Sequence, residues 1–158
     1  MSRNTIAMAV LWLTLAGLIF YLVDNIQNPN KINRLGKDST VILKRGIDGH
    51  YRAEALINGE KLNVLVDTGA TGVAISQQIA DKLQLKSINA IRTNTANGDS
   101  VGYMVRLDSV KVGGVEAKNV SAMIAPGLDG DVLLGMSFLG RMDVRLFKGE
   151  MTINQVME

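Results

Sequence analysis

Eighteen consecutive residues, 6–23 (IAMAVLWLTLAGLIFYLV), carry no charge, and only Thr14 and Gly17 fall outside the strongly apolar set. A helix satisfies its own backbone polar groups, so it is the form in which one such segment crosses lipid. Eighteen helical residues cover about 27 Å, close to the thickness of the hydrocarbon core. Phe20 and Tyr21 stand near the far end, where aromatic side chains favour the membrane interface. The alternative is a cleaved signal peptide. It lacks the small-residue cleavage site such a peptide needs, because the run ends Phe20-Tyr21-Leu22-Val23-Asp24-Asn25. An uncleaved single-pass anchor over 6–23, with a short flank at 1–5, is therefore expected. Its orientation stays open: Arg3 precedes the run, while Lys31, Arg34 and Lys37 follow it, so the positive-inside rule does not choose a side.

Residues 24–40 (DNIQNPNKINRLGKDST) are polar, contain Asn28-Pro29 and Gly36, and show neither helical nor alternating periodicity. They read as a flexible tether whose 17 residues span about 20–25 Å as a coil, leaving an attached domain free to reorient.

What remains, 41–158, is long enough for one hydrophobic core. It holds 13 Lys plus Arg against 13 Asp plus Glu, so the net charge of +2 arises before it. Its only aromatics are Tyr51, Tyr103, Phe138 and Phe147. Such a stretch has neither the basic footprint nor the stacking surfaces of a nucleic-acid binder. The absence of Cys excludes disulfides, thiolate metal sites and a Cys nucleophile, and the single His50 cannot build a multi-histidine metal site. No metal or other cofactor is expected. His50 follows Asp48-Gly49 and reads as a turn residue, because no Ser nucleophile motif accompanies it.

The pattern over 41–158 is one of short apolar runs broken by Gly and Asn. Runs 51–57 and 61–66 flank Asn58-Gly59-Glu60, and Asn-Gly is a strong hairpin signal. Runs 88–96 and 101–107 flank Asn97-Gly98-Asp99, and 110–112 with 115–124 flank Gly113-Gly114. A last hairpin joins 142–147 to 151–156 around Lys148-Gly149, and 150–156 reads as a terminal strand that a partner would extend. Between these runs, Ser76 is placed to cap a short helix in which Ile79, Ala80 and Leu83 share one face, and 136–139 suits another. About ten short strands with one or two short helices predict an all-β, barrel-like domain.

Chemistry concentrates at Leu65-Val66-Asp67-Thr68-Gly69-Ala70-Thr71-Gly72. An apolar strand delivers a carboxylate, then a hydroxyl, then a Gly that permits a tight turn. Taken alone, the tripeptide fits an ordinary Asx or Ser/Thr turn equally well. Later in the chain come Val132-Leu133-Leu134-Gly135 and then Met136-Ser137-Phe138-Leu139. This ordered pair of motifs, with a hairpin between them, resembles the retropepsin-like aspartic proteases, and the wording VDTGATGVAIS…TANG…VLLGMSFLGR is similar to their bacterial membrane-anchored branch.

The resemblance covers 41–158 and implies a closed β barrel of the acid-protease fold, preceded here by one transmembrane helix. It makes Asp67 the catalytic residue, with Thr68, Gly69 and Ala70 supporting its loop. Leu133, Leu134 and Gly135 form the second motif, packed beside the first. The hairpin at Asn97 and Gly98 becomes a flap over a peptide or protein substrate. Tyr103 on its return strand either lines the cleft or packs. The tip reads Thr95-Ala96-Asn97-Gly98-Asp99-Ser100, without the Gly-rich tip of the viral enzymes, so flap mechanics do not carry over. Peptide hydrolysis by this chemistry needs two carboxylates sharing a proton. The chain has one Asp-Thr-Gly, and Asp129 and Asp131 lack a following Thr-Gly or Ser-Gly. The dyad therefore requires a homodimer, with Thr68 gripping across the two-fold axis. The implied location is the bacterial inner membrane with the domain in the periplasm. Two other readings compete: a non-catalytic binding or regulatory module on the same fold, and a glycosidase-like pair of Asp67 with Asp129 or Asp131.

Overall fold

Asn58 and Gly59 both adopt positive φ, 50° and 86°, as a two-residue turn must when it matches the right-handed twist of the strands it joins. That turn connects β2 (Tyr51–Ile57) to β3 (Glu60–Val66), in register from Tyr51↔Val66 to Ile57↔Glu60. Alternation then sends Tyr51, Ala53, Ala55 and Ile57 of β2, with Leu62, Val64 and Val66 of β3, into the core. The computed structural model describes residues 3–27, 30–31, 39–87, 89–95 and 98–156, with side chains outside 3–4 and 93–100.

The remaining elements are α1 (Arg3–Gln27), β1 (Thr40–Lys44), β4 (Val73–Ile75), α2 (Gln77–Lys82), β5 (Asn89–Thr95), β6 (Gly98–Val112), β7 (Val115–Ile124), β8 (Val132–Leu134), α3 (Met136–Leu139), β9 (Met142–Phe147) and β10 (Glu150–Gln155). Neighbouring strands run β2-β3-β8-β4-β7-β6-β5, and β6 returns to β2 through Leu56↔Lys111 and Ile57↔Val110. The result is a closed six-strand barrel with β5 as an outlying ribbon on β6. Two parallel pairings, β3 with β8 and β4 with β7, lie inside an otherwise antiparallel sheet. Ser76 caps α2 as expected, its side chain accepting from the Ile79 N–H. Phe138, fully buried, seats α3 on the barrel.

Helix α1 is long and apolar enough to cross a bilayer: within 5–27 an 18-residue stretch has a mean hydropathy of 2.4, and none of that stretch is buried against protein.

Two expectations are corrected. The first concerns the last strand: β10 is the middle of a three-stranded sheet, β1-β10-β9, paired with Thr40–Lys44 on one side and Met142–Phe147 on the other. Both its edges are taken, so a partner has no free edge to extend there. The second concerns the tether. Residues 24–27 complete α1, and Asn30 is buried and bonded to the barrel, so 24–40 is not a uniform coil.

Candidate active site

Asp67 follows directly on β3. Its N–H donates to the Leu134 carbonyl at 3.0 Å, which carries the parallel β3–β8 ladder one step beyond Val66↔Leu134. The chain then turns, with the Ala70 N–H reaching the Asp67 carbonyl at 3.4 Å. Inside the turn the Gly69 N–H donates to Asp67 Oδ1 at 2.8 Å, fixing the rotation of a half-buried carboxylate. A Cβ on Gly69 would lie 3.2 Å from that same oxygen, so the small residue is what lets the backbone come this close. Thr68, at the tip, is exposed.

The second motif locks this loop from below. The Met136 N–H donates to the Ala70 carbonyl at 2.9 Å. Gly135 has an extended backbone (φ −103°, ψ −164°), yet a Cβ there would lie 2.6 Å from the Ala70 oxygen and nearer still to the Gly72 oxygen. Leu134 is fully buried and Leu133 half-buried between β3 and β4. Asp67, Gly69, Ala70, Leu134 and Gly135 are thus brought together.

Sequence reasoning passed over Ser137. Its Oγ accepts from the Val73 N–H at 2.9 Å and donates to the Ser121 carbonyl at 2.8 Å. One hydroxyl therefore ties α3 to the strand that leaves the Asp67 loop and to β7. Its signal was a polar residue inside the apolar run Met136-Ser137-Phe138-Leu139, where a hydroxyl must find buried partners.

Other candidates lie elsewhere. Asn97 is outside the described residues; Gly98 opens β6 opposite Thr95, and Tyr103 pairs with Ala90 and Ile124 and is partly exposed. Asp131 sits at the opposite end of β8 from Asp67: its carboxylate accepts from the Asn63 N–H at 3.3 Å and its carbonyl from the Ser76 N–H at 3.0 Å. It therefore acts as a connector between strands. Asp129 is exposed in the same loop. The glycosidase-like pairing fails on this placement. His50 belongs to the β1–β2 turn, its N–H on Asp48 Oδ1 at 3.1 Å and its carbonyl taking the Gly46 N–H at 2.7 Å.

Known proteins resemble this chain in sequence and in fold. The family described as "gag-polyprotein putative aspartyl protease" matches residues 53–141, from β2 through α3. An uncharacterised protein of Rickettsia prowazekii (strain Madrid E) is 38% identical over 112 residues, 69% of this chain and 46% of its own length. An uncharacterised protein from the cobV 5′ region of a Sinorhizobium species is 32% identical over 108 residues, 66% of this chain and 46% of its own. The chain thus spans about half the length of these curated relatives. A crystal structure of a retropepsin-like aspartic protease from Rickettsia conorii superposes with a TM-score of 0.61 at 32% identity, covering 73% of this chain and 89% of that one. By the family match over more than half of the chain and the likeness to the Rickettsia conorii protease, the chain belongs to the retropepsin-like aspartic protease family.

Proposed function

We propose that this chain is a membrane-anchored aspartic endopeptidase whose active site forms from two copies of Asp67, one per protomer of a homodimer. The observation that carries this reading is the isolation of one rigidly held Asp-Thr-Gly loop. The chain contains one such motif, and the alternative carboxylate Asp131 is engaged at the far end of β8. In the dyad, one ionised Asp67 removes a proton from water while its protonated twin hydrogen-bonds the scissile carbonyl. Thr68 is exposed in the single chain, as befits a hydroxyl that bonds across a two-fold axis. Gly69 supplies the N–H that orients the carboxylate. The β5–β6 ribbon, with Gly98 and Tyr103, covers a peptide or protein substrate. Helix α1 holds each protomer in the bacterial inner membrane, with the domain in the periplasm by likeness to the membrane-anchored branch.

Asp67→Asn preserves shape but removes the ionisable pair. The variant should fold and dimerise like the parent and lose proteolysis of denatured protein at acidic pH. Mixed dimers with one Asn should be equally inactive, because the two carboxylates act as a unit. Residual cleavage by a clean Asp67→Asn preparation would sink the assignment. A parent protein that dimerises but never cleaves would point to a binding module instead. Protease accessibility of the domain in intact against opened cells tests its side of the membrane.

A further inference from the structure

Two kinds of contact bring the barrel down to the end of α1. Asn30 is 5% exposed. Its Nδ2 donates to the carbonyls of Lys44 at 2.9 Å and Arg52 at 2.8 Å, and its Oδ1 accepts from the Lys44 N–H at 2.9 Å. Its own carbonyl takes the Glu54 N–H at 3.3 Å. All four bonds go to backbone, at the end of β1 and the start of β2. One residue on, Lys31 Nζ lies 2.5 Å from Asp24 Oδ2, the first charge after the apolar run.

Chain length then sets the height of the domain. From Val23 to Gln27 the helix rises about 6 Å, roughly one headgroup layer. From Gln27 to Asn30 the backbone reaches about 10 Å at most. The end of β1, the start of β2 and the turn joining them are therefore held close to the lipid surface whatever the tilt of α1. That turn carries Ile47, which at 91% exposure is the most exposed large apolar residue among those described. A cleft of about 240 Å³ runs from Gln27, at the end of α1, to Ile47 and His50. Lys44, Asp48 and Arg52 line it; Arg52 is paired with Asp48, and nearby in the chain Lys31 pairs with Asp24 and Glu54 with Lys61, while Arg45 Nε bonds the Gly49 carbonyl. A single exposed Ile is ordinary on a protein surface.

We propose that the β1–β2 turn, residues 45–50, is a membrane-contact surface in which Ile47 enters the lipid interface and Lys44 and Arg45 meet anionic phospholipid headgroups. The proposal rests on α1 being an anchor, and the test separates the two. The chain contains no Cys, so one introduced Cys carries one fluorophore. Full-length protein labelled at Ile47→Cys, Glu60→Cys or Leu15→Cys is placed in phosphatidylcholine–phosphatidylglycerol vesicles containing nitroxide lipids. Glu60 lies at the opposite end of the β2–β3 hairpin, and Leu15 lies within α1. Quenching at 47 should exceed that at 60 at least three-fold, with strong quenching at 15. The double variant K44E/R45E should lower quenching at 47 at least two-fold. Quenching at 15 with no excess at 47 over 60 overturns the contact surface and leaves the anchor standing. No quenching at 15 removes the anchor and the proposal with it. Unchanged quenching in K44E/R45E overturns the headgroup contact.

Discussion

A methyl group at position 135 would lie 2.6 Å from the Ala70 carbonyl oxygen and closer to that of Gly72, and both are backbone atoms of the loop that presents Asp67. Neither oxygen can swing aside as a side chain would, so the loop itself must shift. Gly135→Ala should therefore cost about 1–3 kcal/mol or more in chemical denaturation, and it should lower activity beyond what the lost stability explains. Gly127 is the control, since a methyl group added there would meet nothing within 4 Å. Gly127→Ala should stay within about 0.5 kcal/mol of the parent. Equal effects at the two positions would remove the close-packing account. The importance of Gly135 was legible from the Leu-Leu-Gly motif, but its reason was not. That reason is a contact between segments more than sixty residues apart, and no local pattern records such contacts. Ser137 escaped for the same cause: its two partners, Val73 and Ser121, lie on different strands.

Among the elements, the hairpins were the most readable part of the chain. Asn58-Gly59 and Lys148-Gly149 both take up positive φ where the turn residues announce it. Strand partners were less readable, because alternation tells which face of a strand is buried and leaves its neighbours open. Hence β10 looked terminal in sequence and proved central in space, with Thr40 hydrogen-bonded to Asn154 across 114 residues. Strand β1, only five residues long after a polar stretch, passed unnoticed. The position of β10 changes what a truncation tests. Removing 151–158 takes away the middle strand together with Met151 and Ile153, which are 1% and 0% exposed. Both β1 and β9 lose their partner, so the truncated chain should lose its cooperative thermal transition in circular dichroism, beyond any effect on dimerisation. A truncated chain that melts like the parent would contradict this. The outer face of the same sheet has an acid-sensitive tie. Hydrogen bonds from Arg145, aided by Asn154, hold the Asp143 carboxyl below its usual range against a smaller opposing effect of burial. A value lowered in the folded state stabilises above the ordinary carboxylate range and lapses as pH falls through the folded value. Exposure to solvent keeps the contribution small.

For the whole molecule, the proposed dyad, with one catalytic aspartate from each chain, would make activity a property of association. A domain fragment must begin at Asn30 to keep the bonds that close β1 onto β2. Near its dimer dissociation constant, the activity of such a fragment should rise more steeply than linearly with concentration. The full-length protein in vesicles should remain active at dilutions where the fragment fails, because the bilayer confines its protomers to a thin layer. Sedimentation and activity over one dilution series decide this, and a fragment that is monomeric yet fully active would refute the shared dyad. Two carboxylates in contact share one proton, so activity should follow a bell on the acidic side of neutral. A rate that climbs steadily into alkaline pH would indicate other chemistry. The fastening of Asn30 carries a last consequence, one of symmetry. In the proposed membrane-anchored homodimer each barrel would be moored to its own helix in a common plane, so the two protomers could be exchanged only by a rotation that maps that plane onto itself without inverting it. A two-fold operator lying in the plane would send one anchor out through the opposite leaflet. The dyad axis of the proposed dimer would therefore stand along the bilayer normal, and protomers that drift together would need only to yaw about that direction to find their match.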